Sequence, residues 1–256
     1  MHSRFAALAA FAALFVVSKV ALAEGEDDDH PSSTAFQLAA NVGYIPANVH
    51  GTAVAVNATG PLGGGEDTAI PMSGFTLGAQ ATMLFPYYGP GLPRAMLLAG
   101  FSGFFGHNST STFADVHPGG GNDTGVTLKR PFAIDLAIGG TFPLCRRPTC
   151  LDLRVFLGGS LVRQTLTGFT DETGDGGVRE ESTAGRIKTA ALFGVLVTDP
   201  LCSKCSSSSL RLQVGAIARS FGSSSVDFTS ATGKTYVMSI DTGVELNFVL
   251  GLLLPV

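Results

Sequence analysis

The chain has 256 residues, 45% of them hydrophobic and only 14% charged, with 33 glycines, no Trp and a formal net charge of −4. Ordinary soluble domains carry about 25% charged residues and about 7% Gly, so this balance excludes a disordered chain, a coiled coil and a nucleic-acid binder, all of which need more charge. A mean hydropathy of +0.32 points towards a membrane, yet the longest apolar run, the 13 residues Phe5–Val17, falls short of the roughly 20 that a spanning helix needs.

Residues 1–23 have a basic start at His2 and Arg4, an apolar core and the exit Ala21-Leu22-Ala23. That is the plan of a cleavable secretory signal with cleavage after Ala23. Removal of Arg4 and Lys19, with no acid, leaves 14 basic against 20 acidic residues. Residues 24–35 follow as an acidic, solvated leader, since a run of like charges without apolar neighbours does not order itself.

From Phe36 the dominant signal is period-two alternation, the mark of strands with two unlike faces. Strands are expected at 36–45, 74–85, 95–106, 131–142, 151–166, 186–198, 209–221 and 235–248. The clearest is 151–166. There Leu151, Leu153, Val155, Leu157 and Leu161 share one face, and Asp152, Arg154, Ser160 and Gln164 belong to the other. Arg163 interrupts the apolar row, as it would where a strand reaches the rim of a membrane. In the first two strands Phe36, Leu38, Val42 and Tyr44 oppose Gln37, Asn41 and Gly43, and Phe75, Leu77 and Met83 oppose Thr76, Gln80 and Thr82. Phe132, Ile134, Leu136 and Ile138 oppose Asp135, Gly139 and Thr141. Ile187, Phe193, Val195 and Val197 oppose Lys188, Gly194 and Thr198, and Leu212, Val214, Ala216 and Ala218 oppose Arg211, Gln213 and Arg219. In the last segment Tyr236, Met238, Ile240, Val244, Leu246 and Phe248 are set against Asp241, Glu245 and Asn247.

The connections between these strands are 28, 9, 24, 8, 19, 10 and 13 residues long. Long and short alternate, as they do in outer-membrane barrels with trimmed turns at one end and longer loops at the other. Runs such as Gly60–Gly65, His117–Asp123 and Asp171–Gly177 mark the long connections as turn-rich segments rather than a packed second domain. The fold class expected is therefore all-β, an eight-stranded antiparallel up-and-down transmembrane barrel over residues 36–256.

On this pattern the chain resembles the small outer-membrane barrels of the OmpA transmembrane-domain, OmpX and opacity-protein kind. The resemblance implies a monomer in the bacterial outer membrane, in contact with membrane lipid and handled by the barrel-assembly machinery, with surface ligands meeting its long loops and with no nucleic-acid partner. Barrels of this kind usually end in an aromatic residue. This chain departs from that, closing on Asn247-Phe248-Val249-Leu250-Gly251-Leu252-Leu253-Leu254-Pro255-Val256, so either Phe248 is a displaced signal or the last strand extends to Leu254.

An eight-stranded barrel is only wide enough for side chains to fill, so the polar rows predict a luminal network of Asp135, Asp152, Arg154, Lys188, Arg211, Arg219, Asp241 and Glu245. Buried charges need partners, and symmetric closure about the connection 222–234 would bring Arg211 to Glu245. The alternative use of these charges is a narrow, porin-like water or ion path. The cysteines Cys145, Cys150, Cys202 and Cys205 fall in two short connections. In an oxidising compartment they are expected to form disulfides, with local pairing favoured over a four-thiolate zinc site. No cofactor, metal or catalytic set is expected. His107-Asn108-Ser109 resembles the His-x-Ser pair of barrel lipid A deacylases, which keeps a lipid A-modifying enzyme as an alternative to a non-enzymatic envelope or surface-contact role. A soluble lipocalin-like barrel is a second alternative, disfavoured because its exterior would need more charge. Export predicts that N-terminal sequencing of the mature protein from the cell envelope starts at Glu24; a start at Met1 would show that the segment is retained.

Overall fold

A computed structural model describes residues 34–46, 50–57, 60–61, 68–71, 73–86, 92–106, 108–113, 124–144, 151–170, 180–200, 210–229, 235–241 and 243–255. It contains fourteen strands. In chain order they are β1 (Ala35–Ile45), β2 (His50–Asn57), β3 (Gly60–Pro61), β4 (Thr68–Pro71), β5 (Gly74–Leu84), β6 (Arg94–Phe105) and β7 (Asn108–Phe113). There follow β8 (Thr124–Pro143), β9 (Asp152–Thr170), β10 (Glu180–Pro200), β11 (Arg211–Phe221), β12 (Ser224–Thr229), β13 (Thr235–Asp241) and β14 (Val244–Pro255). Among the described residues there is no helix long and apolar enough to cross a membrane.

Eight of these strands make a ring. The antiparallel order β6-β5-β1-β14-β11-β10-β9-β8 is closed by pairing of β6 with β8, and β7 continues along the part of β8 that β6 does not reach. Register fixes the stagger. From Phe105 the hydrogen-bonded partners run through Phe75, Tyr44, Phe248, Ala216, Val195, Val155 and Gly140 to Ala95, ten residues away on the starting strand. Ten residues of stagger over eight strands tilts each strand by about 40°. At about 3.3 Å per residue, an eleven-residue strand at that tilt rises about 25 Å.

The alternation places apolar side chains outside. Leu38, Val42, Leu77, Ile134, Leu136, Ile138, Leu157, Leu161, Val214, Leu250, Leu252 and Leu254 are all exposed, whereas Gln37, Gln80, Asp135, Arg154, Gln164, Gln213, Arg219 and Asn247 are buried. A continuous apolar exterior of this size far exceeds the patches that soluble monomers tolerate. The outward rows named above carry no charge to hydrate; charged outward residues such as Lys129, Arg163 and Asp199 stand nearer the ends of their strands.

Beyond the ring, at the end that carries the long connections, strand structure continues. β2, β3, β4, β12 and β13 form a second sheet, in the order β12-β13-β2-β3 with β4 also on β2. It faces the projecting parts of β9 and β10 through β12 and meets β7 through β4. Val126, Leu128, Leu166, Phe169, Val226, Met238 and Ile240 are buried there. These connections were expected to be turn-rich; short alternating apolar runs inside them are enough to pair as strands once the ring holds their ends side by side.

The last strand also differs from expectation. The ring strand is Val244–Pro255, while 235–241 belongs to the second sheet. Of the two readings of the C-terminus, the strand extends, with Leu254 facing outward. One hairpin runs from β11–β12 back through β13–β14 in constant register, Ser224 opposite Ile240 and Arg219 opposite Glu245, but its pleat turns over between the two sheets. Buried positions are odd in β11 and β14 (Arg219, Phe221, Glu245, Asn247) and even in β12 and β13 (Ser224, Val226, Met238, Ile240). The turnover falls at residues 222–223 on one arm and by Gly243 on the other, where Gly243 has φ +51° and its carbonyl accepts from the Phe221 amide at 2.9 Å. A left-handed backbone disfavours any residue with a Cβ by about 1–2 kcal/mol. Gly243→Val is therefore expected to lower stability by about that amount in urea unfolding of micelle-folded protein. Gly222→Ala should be close to neutral, since a Cβ at Gly222 meets nothing.

Candidate functional site

The barrel interior holds a set of buried charged residues, among them Arg94, Arg130, Asp135, Arg154, Arg219 and Glu245. At the centre, Asp135 on β8 stands opposite Ser160 on β9, and the Ser160 hydroxyl donates to its carboxylate. Arg219 reaches across from β11, donating from Nη2 to Asp135 Oδ2 at 2.7 Å and from Nε to Asp135 Oδ1 and Ser160 Oγ, both at 3.3 Å. Its Nη1 lies 3.5 Å from Glu245 Oε1. Glu245 is held on its other oxygen by Arg130 Nη1 at 3.0 Å. Two guanidinium groups and two carboxylates thus form one neutral chain, with no residue in it more than 3% exposed. Aromatic faces complete the enclosure: Phe221 lies 3.8 Å from the Arg130 guanidinium and Phe104 5.6 Å from that of Arg219, distances at which a ring face attracts a cation.

Apolar side chains occupy the levels on either side. Towards the short-turn end lie Leu98, Ala137, Phe156, Leu192, Leu196, Ile217 and Val249; towards the loop end lie Ile45, Phe104, Ala133, Val162, Ala190 and Phe221. The Phe156 ring covers Gly194 so closely that a Cβ there would fall 2.0 Å from it, so the glycine in β10 makes room for an aromatic plug. A second polar level sits at the turn end. Arg211 pairs with Asp152, Arg154 donates to Gln37 Oε1, and Arg94 Nε donates to the Phe85 carbonyl at 2.7 Å. Between the levels, Gln213 Nε2 donates to Gln80 Oε1 at 2.9 Å and Asn41 Oδ1 at 3.2 Å, and Asn247 Nδ2 donates to Thr76 Oγ1 at 3.1 Å. Between the two charged levels, therefore, apolar side chains, chiefly from β6, β8, β9 and β10, share the lumen with a row of amides and a threonine from β1, β5, β11 and β14.

The eight residues expected to share the lumen separate into groups. Asp135, Arg219 and Glu245 meet at the centre, while Asp152, Arg211 and Arg154 lie at the turn end. Lys188 stands apart at the loop end, half-buried, with Nζ donating to the Ser223 carbonyl at 3.1 Å. The side chain of Asp241 lies outside the described residues, as do the four cysteines Cys145, Cys150, Cys202 and Cys205, His107 and the side chain of Ser109. The expected pair Arg211–Glu245 is not formed. Arg211 stands opposite Leu253 and Glu245 opposite Arg219, because β12 and β13 continue the hairpin in the same register, so closure centres four residues further along the chain than the midpoint of 222–234.

Arg130 is the residue that the alternation missed. Ordinary pairing of β8 with β9 breaks between Lys129 and Phe132, and the extra residue at this bulge turns Arg130 into the lumen. Pro131 was the available signal, since proline inside a strand belongs at a bulge or an edge, and bulges re-aim side chains.

No protein-family model matches the sequence, and no curated protein matches it either. Solved structures do match. The outer membrane protein OprG from Pseudomonas aeruginosa aligns over 89% of this chain and 99% of its own, with a TM-score of 0.52 at 7% identity. Neisserial surface protein A aligns over 87% and 98% at 12% identity with a TM-score of 0.35, and the attachment invasion locus protein Ail of Yersinia pestis over 83% and 97% at 8% identity with a TM-score of 0.30.

Removing one member of a buried ion chain strands its partners, at a cost of about 3–5 kcal/mol. Arg219→Leu should therefore destabilise the micelle-folded protein by about that much in urea unfolding. Asp135→Leu combined with Arg219→Leu should cost less than Arg219→Leu alone, because Asp135 is then not left unpaired; equal or additive losses would mean that the two groups do not act as a pair. The chain has the fold of a small outer-membrane β-barrel, eight antiparallel strands closed on themselves.

Proposed function

We propose that the protein is a non-enzymatic integral outer-membrane barrel whose filled interior serves as an anchor and whose extended loop end makes the contacts outside the cell. The observation that carries this reading is the inversion of the ring, apolar outside and charge-paired inside. A belt about 25 Å tall of aliphatic side chains suits a bilayer core, and Phe105, Phe75, Tyr44 and Phe248, exposed and consecutive in register, supply the kind of aromatic border that sits at a membrane interface. A soluble lipocalin-like barrel would need the opposite distribution.

The filled lumen favours an anchor over a conduit. An ion entering from the turn end would have to pass the Phe156 ring before reaching Asp135 and Arg219, which already hold each other through two hydrogen bonds. The loop end has the opposite character, because four ring-to-ring connections carry strand structure well beyond the belt. Both described chain ends, Ala35 and Pro255, lie at the turn end, which places that end in the periplasm if the long loops face outward. The cysteine pairs would then stand in periplasmic turns, where disulfides form.

Membrane fractionation with electrophoresis of boiled and unboiled samples tests the anchor. The expected result is recovery in the outer-membrane fraction and faster migration when unboiled; soluble extraction without a mobility difference would overturn the membrane reading. Planar-bilayer recording should show no stepwise conductance from the purified protein, and discrete channel openings would overturn the filled-lumen part of the proposal.

A further inference from the structure

Outside the ring, the surface of β8, β9 and β10 changes chemistry row by row as the strands rise past the belt. Below are the exposed aliphatic residues Ile134, Leu136, Leu157 and Leu161. The next register row is Phe132, Arg163 and Ile187, followed by Lys129, Thr165 and Gly185. Above these is a row of four threonines, Thr110, Thr127, Thr167 and Thr183, one on each of β7, β8, β9 and β10. Two hydrogen bonds tie this row together, Thr110 Oγ1 to Thr127 Oγ1 at 2.8 Å and Thr167 Oγ1 to Thr183 Oγ1 at 3.0 Å.

Arg163, which breaks the apolar alternation, does not end its strand; β9 continues to Thr170. Its guanidinium lies over Gly185, where a Cβ would stand 2.8 Å from Nη2. A side chain at 185 would push it away, so the glycine seats the guanidinium in the same row as Lys129. The two cations then flank Thr165 from β8 and β10, about two strand spacings or 10 Å apart. Neither has an acidic partner among the described residues. Arg186 and Lys188 occupy the alternate positions of β10 and belong to its other face. Glu181, the nearest described acid on the outward face, stands beyond the threonine row and further from the belt.

Cations without an acidic partner among the described residues, immediately above an acyl-facing wall, are placed for the phosphates of a lipid, and the hydroxyls one row higher are placed for sugar hydroxyls. We propose that the outer face of β8–β10 is a docking strip for a phosphorylated glycolipid of the surrounding leaflet, with Lys129 and Arg163 taking its phosphates and the row Thr110–Thr127–Thr167–Thr183 facing its saccharide. This rests on the membrane reading above. An ordinary phospholipid would satisfy the cations and leave the threonines unused, and the aromatic side of the ring, at Tyr44, Phe75 and Phe105, carries neither feature.

The test is native mass spectrometry of the full-length protein in detergent micelles, titrated with bisphosphorylated lipid A, dephosphorylated lipid A and phosphatidylglycerol. The wild type should retain bisphosphorylated lipid A at least about tenfold better than either of the others, since only that lipid offers a phosphate to each cation together with a saccharide to the threonine row. K129Q with R163Q should remove that preference, K129R with R163K should keep it, and G185L should weaken it by displacing Arg163. Equal binding of all three lipids by the wild type, or undiminished preference in K129Q with R163Q, would overturn the proposal. Each variant is checked for the mobility difference between unboiled and boiled samples: a variant that keeps it is a folded barrel, so loss of lipid preference there concerns the strip alone. A wild type recovered in the soluble fraction would instead sink the membrane reading.

Discussion

Everything in this molecule depends on the pairing of β6 with β8. A sheet in hydrocarbon has no water to satisfy its edges, and each unmet amide or carbonyl there costs several kcal/mol. Closure removes both edges at once. The stagger of ten residues that closure requires also sets strand tilt, barrel width and hence the size of the interior, which is why the lumen can hold a Phe156 ring and a guanidinium fork but little else. Once the backbone is satisfied by closure, the outward side chains can be apolar, as Leu136, Leu157 and Leu250 are.

A filled interior raises a second problem, how to bury charge. Arg130, Glu245, Arg219 and Asp135 solve it by alternating sign along a single chain of contacts, so that no carboxylate or guanidinium is left alone in a low-dielectric space. The apolar levels above and below keep that chain dry and strengthen it. A specific role for such a cluster is to fix the strand register: its four members come from three strands, β8, β11 and β14, and a slip by one residue would turn an Arg or a Glu onto the apolar exterior.

Much of the ring was legible in the sequence because period-two alternation survives wherever one face points out of a closed ring and the other into a crowded interior. The row Leu151, Leu153, Val155, Leu157 and Leu161 is an example, and Asp152 and Arg154 identify its inner face. Legibility failed where the pleat changed phase. Met238 and Leu246 share parity and looked like one apolar face, but Met238 is buried in the second sheet and Leu246 belongs to the outer wall, the phase having turned over at Gly243. Arg130 was lost for a related reason, since the bulge at Pro131 moves it to the inner face. The strand expected over 151–166 runs on past Arg163 to Thr170, because the connection beyond it pairs as strand as well.

By itself the sequence determined the architecture: eight alternating segments, an even count, short and long connections in turn, and too little charge for a soluble exterior. Those features are local, each written in ten or so consecutive residues. The tertiary structure alone decided which charges meet, that Glu245 joins Arg130 and Arg219 while Arg211 turns to Asp152, because pairing across a lumen depends on the summed register of strands far apart in the chain. It also decided that the long connections pair as strands, since their short apolar runs gain a partner only when the closed ring brings their ends together.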